Sequence, residues 1–447
     1  MKKSLALILA LVMAVLCGAA FAEDYPEKVE GIDLGGRTIY IYDYWTSEAQ
    51  SKRKADPTEE EQATYDYRDW IEATYNCKIV QIQKGGWGDN VNELINFVTA
   101  PDDTLCVYIL PPDFVGSPMN NNYFMPWDER ILANEKWNEF VCSFMTKGGQ
   151  VYGVYPGATE PRQCLFFNKT VLENAGIEWE TIYDMQADGT WTWEAFEEML
   201  AKIQQDTNND GVVDIWALTG NNSDFYLMGA FSNNGSFFEL NENEELVVTA
   251  NKDETVNGLN WAKRVWSEYA FPQPADSQWN YFVEDFKAGE RGFLMYQTYG
   301  GFNDNAEISG TEFEWGCVAF PMGPSGDRYV TINSDNVTVM PNVYDAETAY
   351  QIQFIYDLYT NVTPGYDDED AWIGNKYNYT DDRAVDETYA MLRDDAHVVA
   401  NNALSLGAIN DVLGRPLLWN ISWREPAELI EEAMDAWQAM CDTYNGK

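Results

Sequence analysis

Residues 152–169 read YGVYPGATEPRQCLFFNK. An apolar run reaches Tyr155-Pro156, where the proline removes a backbone donor and fixes its own φ, so the run cannot continue as a central strand. Gly157 and Ala158 form a small-residue joint, and Glu160 and Arg162 follow it. The chain resumes as Cys164 to Phe167, a short, wholly apolar run whose composition predicts a strand buried on both faces. A helix is expected from Thr170, stopping at Gly176, because glycine takes the left-handed conformation after a helix at little cost.

The same alternation of strand and helix extends to both sides. Upstream, Thr38 to Asp43 (TIYIYD) alternates β-branched and aromatic residues and predicts a strand. Thr58 and Glu61 have the spacing of a capping box and open a helix that ends near Asn76. Lys78 to Ile82 is a strand, Asn90 to Val98 a helix, and Leu105 to Leu110 a buried strand. This β-α-β-α-β order predicts a parallel sheet with helices on its faces. Downstream, Thr192 to Ile203 puts Trp193, Phe196, Met199, Leu200 and Ile203 on one helical stripe. Further helices are expected at Val256 to Tyr269, at Ala346 to Tyr359, and after Pro426, where Leu429, Ile430, Ala433, Met434, Trp437 and Met440 would be buried. Gly365 to Asp386 is polar and acidic and reads as loop.

Residues 1–22 read as a secretory signal peptide. Lys2 and Lys3 precede the apolar run Leu5 to Leu16, and Ala20-Phe21-Ala22 has small residues at the cleavage positions. Cys17 is placed where a lipid anchor is the alternative, although Leu16 is not the small residue a lipobox requires. No later stretch is long and apolar enough to span a membrane. An extracytoplasmic location is therefore expected, periplasmic or at the cell surface.

Of the 447 residues, 73 are acidic and 28 basic, for a formal net charge of −45. Such a polyanion has no generic attraction for nucleic acid or anionic membrane. Aromatic residues make up 15%, too many for a disordered acidic chain. His397 is the single histidine, which excludes a His-ligated zinc cluster. Cys77, Cys106, Cys142, Cys164, Cys317 and Cys441 follow the leader with no CxxC spacing. Most sit in strand-like runs, so buried thiols are expected rather than a disulfide framework.

Four runs in order carry a family resemblance. The first is Tyr155, Pro156, Ala158 and Glu160 followed by Phe167-Asn168-Lys169. Next come Thr190 to Phe196 (TWTWEAF) and then Phe286-x-x-Gly289-Glu290 with Thr298-Tyr299-Gly300. The last is Trp315 to Pro324 with Tyr329 to Pro341. Together they resemble the extracellular solute-binding proteins of bacterial ABC importers, in the sugar-binding group that includes maltodextrin-binding proteins. The resemblance implies an α/β, two-lobed periplasmic-binding-protein-like fold, each lobe a mostly parallel sheet flanked by helices, joined by hinge strands. It implies an N-terminal lobe of residues 23–157 plus about 332–385, and a C-terminal lobe of 158–331 plus about 386–447. The Tyr-Pro-x-Ala-x-Glu run would be the outward crossing and Trp315 to Pro341 the return. The implied function is non-enzymatic: a monomer captures a carbohydrate, an oligosaccharide by preference, and closes over it for the membrane subunits of an ABC permease. Aromatic rings suit the C–H faces of sugars, and carboxylates and amides suit the hydroxyls.

Candidate ligand residues follow from strand ends and from the resemblance. Trp45 follows the first strand and Asp113 the third, Glu160 lies in the hinge motif, and Tyr299 falls where the family places a stacking aromatic. Trp87 in GGWGD, Tyr226, Trp419 and Trp423 complete the set. Asp206, Asn208, Asp210, Val212 and Asp214 read D-x-N-x-D-G-x-x-D, an oxygen-rich loop with a turn glycine that suits structural Ca2+. Its twelfth position is Ala217, so the usual bidentate carboxylate is missing, and an Asx-rich turn that binds nothing is the alternative. No cofactor is required. The rival functions are a glycoside hydrolase with paired carboxylates, or the same fold holding a peptide or polyamine.

Overall fold

A computed structural model describes residues 25–49, 52–301, 307–367, 379 and 381–447. The leader with Cys17 lies outside the described residues, as does much of the acidic segment after Gly365. Two compact units are present. The smaller comprises the described residues within Met1–Ile109, Trp127–Asn134 and Met340–Ala371, and the larger those within Leu110–Pro126, Glu135–Val339 and Trp372–Lys447.

In the smaller unit β1 (Arg37–Asp43) is the middle strand. It pairs in parallel with β2 (Cys77–Gln83) from Arg37↔Cys77 to Asp43↔Gln83, and with β3 (Leu105–Leu110) from Ile39↔Leu105 to Tyr42↔Tyr108. The parallel order is the one the sequence alternation predicts. Helix α1 (Glu59–Tyr75) starts on a complete capping box. The Thr58 hydroxyl accepts from the Glu61 N–H at 3.1 Å, and the Glu61 carboxylate accepts from the Thr58 N–H at 2.9 Å. It stops at Asn76, whose φ of 49° is left-handed, and buries Tyr67, Ile71 and Tyr75. Helix α2 (Asn90–Thr99) joins β2 to β3. The later helix Ala346–Tyr359 begins where the Asp345 side chain accepts from the Thr348 N–H.

In the larger unit β4 (Gln163–Asn168) is buried along its whole length. Asn168 caps α3 (Lys169–Asn174) by accepting from the Val171 N–H at 3.2 Å, and Gly176 turns the chain at φ 74°. Helix α4 (Trp193–Ile203) buries the five stripe residues named above. Then come β5 (Leu218–Gly220), α5 (Asn222–Phe231), α6 (Asp253–Tyr269), α7 (Tyr281–Lys287), β6 (Phe293–Gln297), β7 (Trp315–Val318) and α8 (Pro426–Tyr444).

The sheet order is β7-β4-β6-β5. Only β6 and β5 are parallel; β4 is antiparallel to both β6 and β7. The expectation of a mostly parallel sheet is thus corrected for this unit. A strand covered on both faces shows the same apolar run whichever way it points, so composition cannot carry its direction. The crossing segments read from the sequence lie side by side: Gly153 and Val154 pair antiparallel with Val339 and Thr338.

The core of this unit is aromatic. Trp193 and Trp261 stack with centroids 4.1 Å apart and planes 3° from parallel. Phe293 meets Phe196 edge-on at 5.1 Å. In α8, Leu429, Ile430, Ala433 and Trp437 are buried, while Met434 and Met440 are only partly covered. The end of the expected loop is helical, since Ala384–Tyr389 forms a wide helical turn. All six cysteines are free. Burial pushes the Cys77 and Cys106 thiols up to about 12 and those of Cys142 and Cys441 to about 11, which keeps them protonated and unreactive. Among the described residues no helix is long and apolar enough to cross a membrane.

Candidate functional site

Parallel strands present side chains beyond their C-terminal ends, where loops are free to vary without disturbing the sheet. In the smaller unit β1 ends at buried Asp43. Its carboxylate accepts from the Trp45 N–H at 3.1 Å, the Thr46 N–H at 2.8 Å and hydroxyl at 2.5 Å, and the Gln81 amide at 2.8 Å. These bonds fix the turn that holds Trp45 with 47% of its surface exposed and its ring edge-on to Tyr44 at 4.8 Å. The loop after β2 is tied to the same turn, since Gln83 N–H donates to the Thr46 carbonyl and Lys84 N–H to that of Asp43. That loop carries Trp87, 49% exposed. Gly85, at φ 79°, is needed there: a Cβ would come 2.8 Å from the Asn90 backbone nitrogen. The structure therefore brings Trp45 and Trp87 to neighbouring turns at one edge of this sheet.

In the larger unit a denser group surrounds the ends of β4, β5 and β6. Tyr299 lies in the 3-10 turn Thr298–Gly301 that ends β6. Its hydroxyl is 2.7 Å from that of Tyr296, which donates to Glu307 at 2.6 Å, and the two rings meet at 5.4 Å and 61°. The turn is anchored by the Thr298 N–H donating to the Arg162 carbonyl at 2.7 Å and the Thr298 hydroxyl donating to the Pro161 carbonyl. Glu160 is held by Tyr389 and Arg393, both donating to its carboxylate, while its N–H donates to Asp335 at 3.0 Å. Asp224, in the first turn of α5, accepts from the Gln297 amide at 3.3 Å. Asp113 follows β3 in the turn Pro112–Phe114.

Burial raises the acids of this group. The Asp113 carboxyl is pushed up to about 6 by loss of hydration, against the pull of Arg162. Asp224 is pushed up to about 6 by burial, with the Gln297 bond opposing and the Asp113 charge adding to the rise. Asp335 reaches about 6 for the same primary reason, relieved by the Glu160 N–H and Arg162. An acid whose folded value lies above its ordinary 3.8 holds its proton more tightly when folded, so it favours the fold as pH falls from about 6 toward 4 and disfavours it above. The gain in urea midpoint from pH 7 to pH 5 should accordingly be smaller in Asp224→Asn than in wild type; an equal gain would show that Asp224 does not titrate in that window.

Tyr226 is placed in the core, 1% exposed, with its hydroxyl 2.9 Å from that of Ser422 and its ring against Trp266. The reading of Tyr226 as a ligand-facing ring is thereby corrected: all of α5 from Phe225 to Phe231 is buried, so no stripe in the sequence marks which side faces inward. Trp419 and Trp423 flank Ser422 and are 44% and 75% exposed, with the Arg415 guanidinium 5.8 Å from the Trp419 ring. Sequence reasoning missed Arg162, Asp224, Asp335 and the 65%-exposed Trp279. Asp224 had one usable signal, an acid in the first turn of a helix directly after a strand; the others had none.

The loop 206–214 closes on itself. Asp206 accepts from the Asp210 and Gly211 N–H groups at 3.3 and 2.8 Å, Asn208 from Asp210 at 2.8 Å, Asp210 from Val212 at 2.8 Å, and Asp214 from the Thr207 N–H and hydroxyl at 2.8 and 2.5 Å. Ala217, at the twelfth position, is buried. Among the described residues no three His, Cys, Asp or Glu side chains converge as a metal cluster. The arrangement satisfies an Asx-turn loop and is short of a full cation cage.

A family model described as "Bacterial extracellular solute-binding protein" matches residues 56–352. Curated protein sequences give no match. Solved structures do. The ABC substrate-binding protein Lmo0181 from Listeria monocytogenes, in complex with cycloalternan, is 15% identical with a TM-score of 0.57, covering 92% of this chain and 99% of its own. Maltose-bound T. maritima MalE3 is 15% identical, TM-score 0.56, covering 90% and 100%. UgpB from Mycobacterium tuberculosis, in complex with glycerophosphocholine, is 14% identical, TM-score 0.60, covering 85% and 95%. These likenesses establish the fold as that of the two-lobed periplasmic binding proteins.

Proposed function

The chain belongs to the bacterial extracellular solute-binding proteins, and from that premise we propose that it captures a carbohydrate outside the cytoplasm, an oligosaccharide by preference, and delivers it to an ABC permease. The observation that carries this reading is the company Tyr299 keeps. An aromatic ring partly open to solvent sits in the same group as Asp224, Gln297 and Arg162, so one flat apolar face and several hydrogen-bonding groups are offered together. Cycloalternan and maltose in the matched structures named above support the same solute class. Capture is proposed to leave every bond of the solute intact: Glu160 is spent on Tyr389 and Arg393, and the mechanism asks for no nucleophile.

A glycan panel read by thermal shift tests the reading. A ligand at about a hundred times its Kd stabilises by about 2.7 kcal/mol, which is readily visible as a rise in Tm. Product analysis of the same mixtures should return the sugars unchanged. No shift with any glycan, or hydrolysis, would sink the proposal.

Calcium at loop 206–214 is a separate proposal. It rests on the alternation of oxygen-bearing side chains and on the inward turn of Asp206, Asn208 and Asp210. The loop oxygens would then share a cation with the N–H groups they already accept, and a chelator should lower Tm. An identical Tm with and without chelator leaves the loop as an Asx-turn element alone.

A further inference from the structure

The ends of β4 and β6 place more hydrogen-bond acceptors than donors around one spot. Gln163 opens β4 directly opposite Gln297, the last residue of β6, so the two side chains leave the sheet on the same face. The Gln297 amide reaches the Asp224 carboxylate, which marks that face as the one toward Asp224. Gln163 is 96% buried, with 4% of its surface exposed, and its side-chain carbonyl oxygen has no hydrogen-bond partner among the described residues. An acceptor buried without a donor costs free energy unless a bound group supplies one. Asp224 takes a single side-chain donor in the structure, and that donor is neutral. Arg393 is committed to Glu160. Arg162 remains as the cation of the group and is shared among Asp113, Asp335 and the hydroxyl of Tyr299.

A neutral sugar hydroxyl would bring one donor and no charge. A protonated amine brings three donors and the missing positive charge, and the face of Tyr299 is a further favourable neighbour for a cation. We infer that the acceptor group formed by Asp224 and Gln163 beside Tyr299 receives an ammonium substituent, so that the solute is an amino-bearing sugar rather than a neutral or anionic one. The inference rests on the carbohydrate reading above and narrows it.

Calorimetry on the full mature chain at pH 7.5 compares the glucosamine trimer, its N-acetylated counterpart and maltotriose, with putrescine as an amine lacking a ring. The glucosamine trimer is expected to bind at least about ten-fold more tightly than either neutral trimer. Asp224→Asn is expected to cut that preference below about three-fold, with the circular dichroism spectrum retained to show that the variant folds. Equal or tighter binding of the neutral trimers overturns the amine inference and leaves the carbohydrate reading standing. Putrescine binding without any trimer overturns the carbohydrate reading and keeps the amine site. Binding of none of the four overturns both.

Discussion

Tyr299→Ala should weaken solute binding by about 30-fold or more, since removal of a central aromatic anchor from an interface costs about 2 kcal/mol or more. The ring is set before any solute arrives. Its hydroxyl is 2.7 Å from that of Tyr296, whose own proton goes to Glu307, and its edge rests on the Tyr296 ring. Gly300 permits this arrangement, because a Cβ there would come 2.7 Å from the Tyr296 ring. A ring held so firmly loses little entropy on binding, which is why its deletion is costly. The fold should tolerate the change, with Tm falling by a few degrees, because Tyr299 packs at the margin of the core rather than within it. Tyr299→Phe keeps the face and loses only the hydroxyl contact, so its affinity should stay close to wild type. Calorimetry that returns wild-type affinity for the alanine variant would remove Tyr299 from the site.

The largest effect on stability should come from Asp381. Lys169 is 6% exposed and Asp381 8%, and they form an ion pair at 3.3 Å. The Asp381 carboxylate also accepts from the Tyr183 hydroxyl at 2.9 Å. Lys169 has a second acid, Glu314, at 3.3 Å, and it lies 3.9 Å from the centre of the Trp179 ring. Glu314 is largely exposed, so solvent screens it and it cannot replace Asp381. Asp381→Ala leaves a buried ammonium and a buried hydroxyl without their acceptor, a change that costs about 3–5 kcal/mol. Urea denaturation followed by tryptophan fluorescence measures it. Adding Lys169→Met to Asp381→Ala should recover much of the loss, because the stranded charge is then gone. A double variant no more stable than the single one would mean that the pair's charge is not what the fold depends on.

Lys169 also shows how far the sequence could be read. The Phe-Asn-Lys run was legible as a strand end and helix start, and Asn168 does cap α3. Nothing in the run marks Lys169 as buried, because its partner Asp381 lies more than two hundred residues away in the chain. Helices and strands followed from apolar spacing and local caps, both of which are written within a few residues. Strand direction in the larger unit was not, since β4 is apolar throughout. The site divides the same way. Trp45, Trp87 and Tyr299 were found because they end strands. Asp224 and Asp335 were lost among 73 acidic residues, because only tertiary burial separates a buried carboxylate from a solvated one. Tyr226 was chosen wrongly for the converse reason: a helix covered on every side has no polar face to orient the reader.

The Trp193–Trp261 pair gives the larger unit an optical reporter of its own. Two indoles with parallel planes and centroids 4.1 Å apart are close enough for their electronic transitions to couple. Coupled chromophores in a fixed chiral setting produce paired positive and negative bands in circular dichroism, which vanish once the rings separate. Melting of this one core can therefore be followed by its own spectroscopic band, while bulk fluorescence averages over all 17 tryptophans.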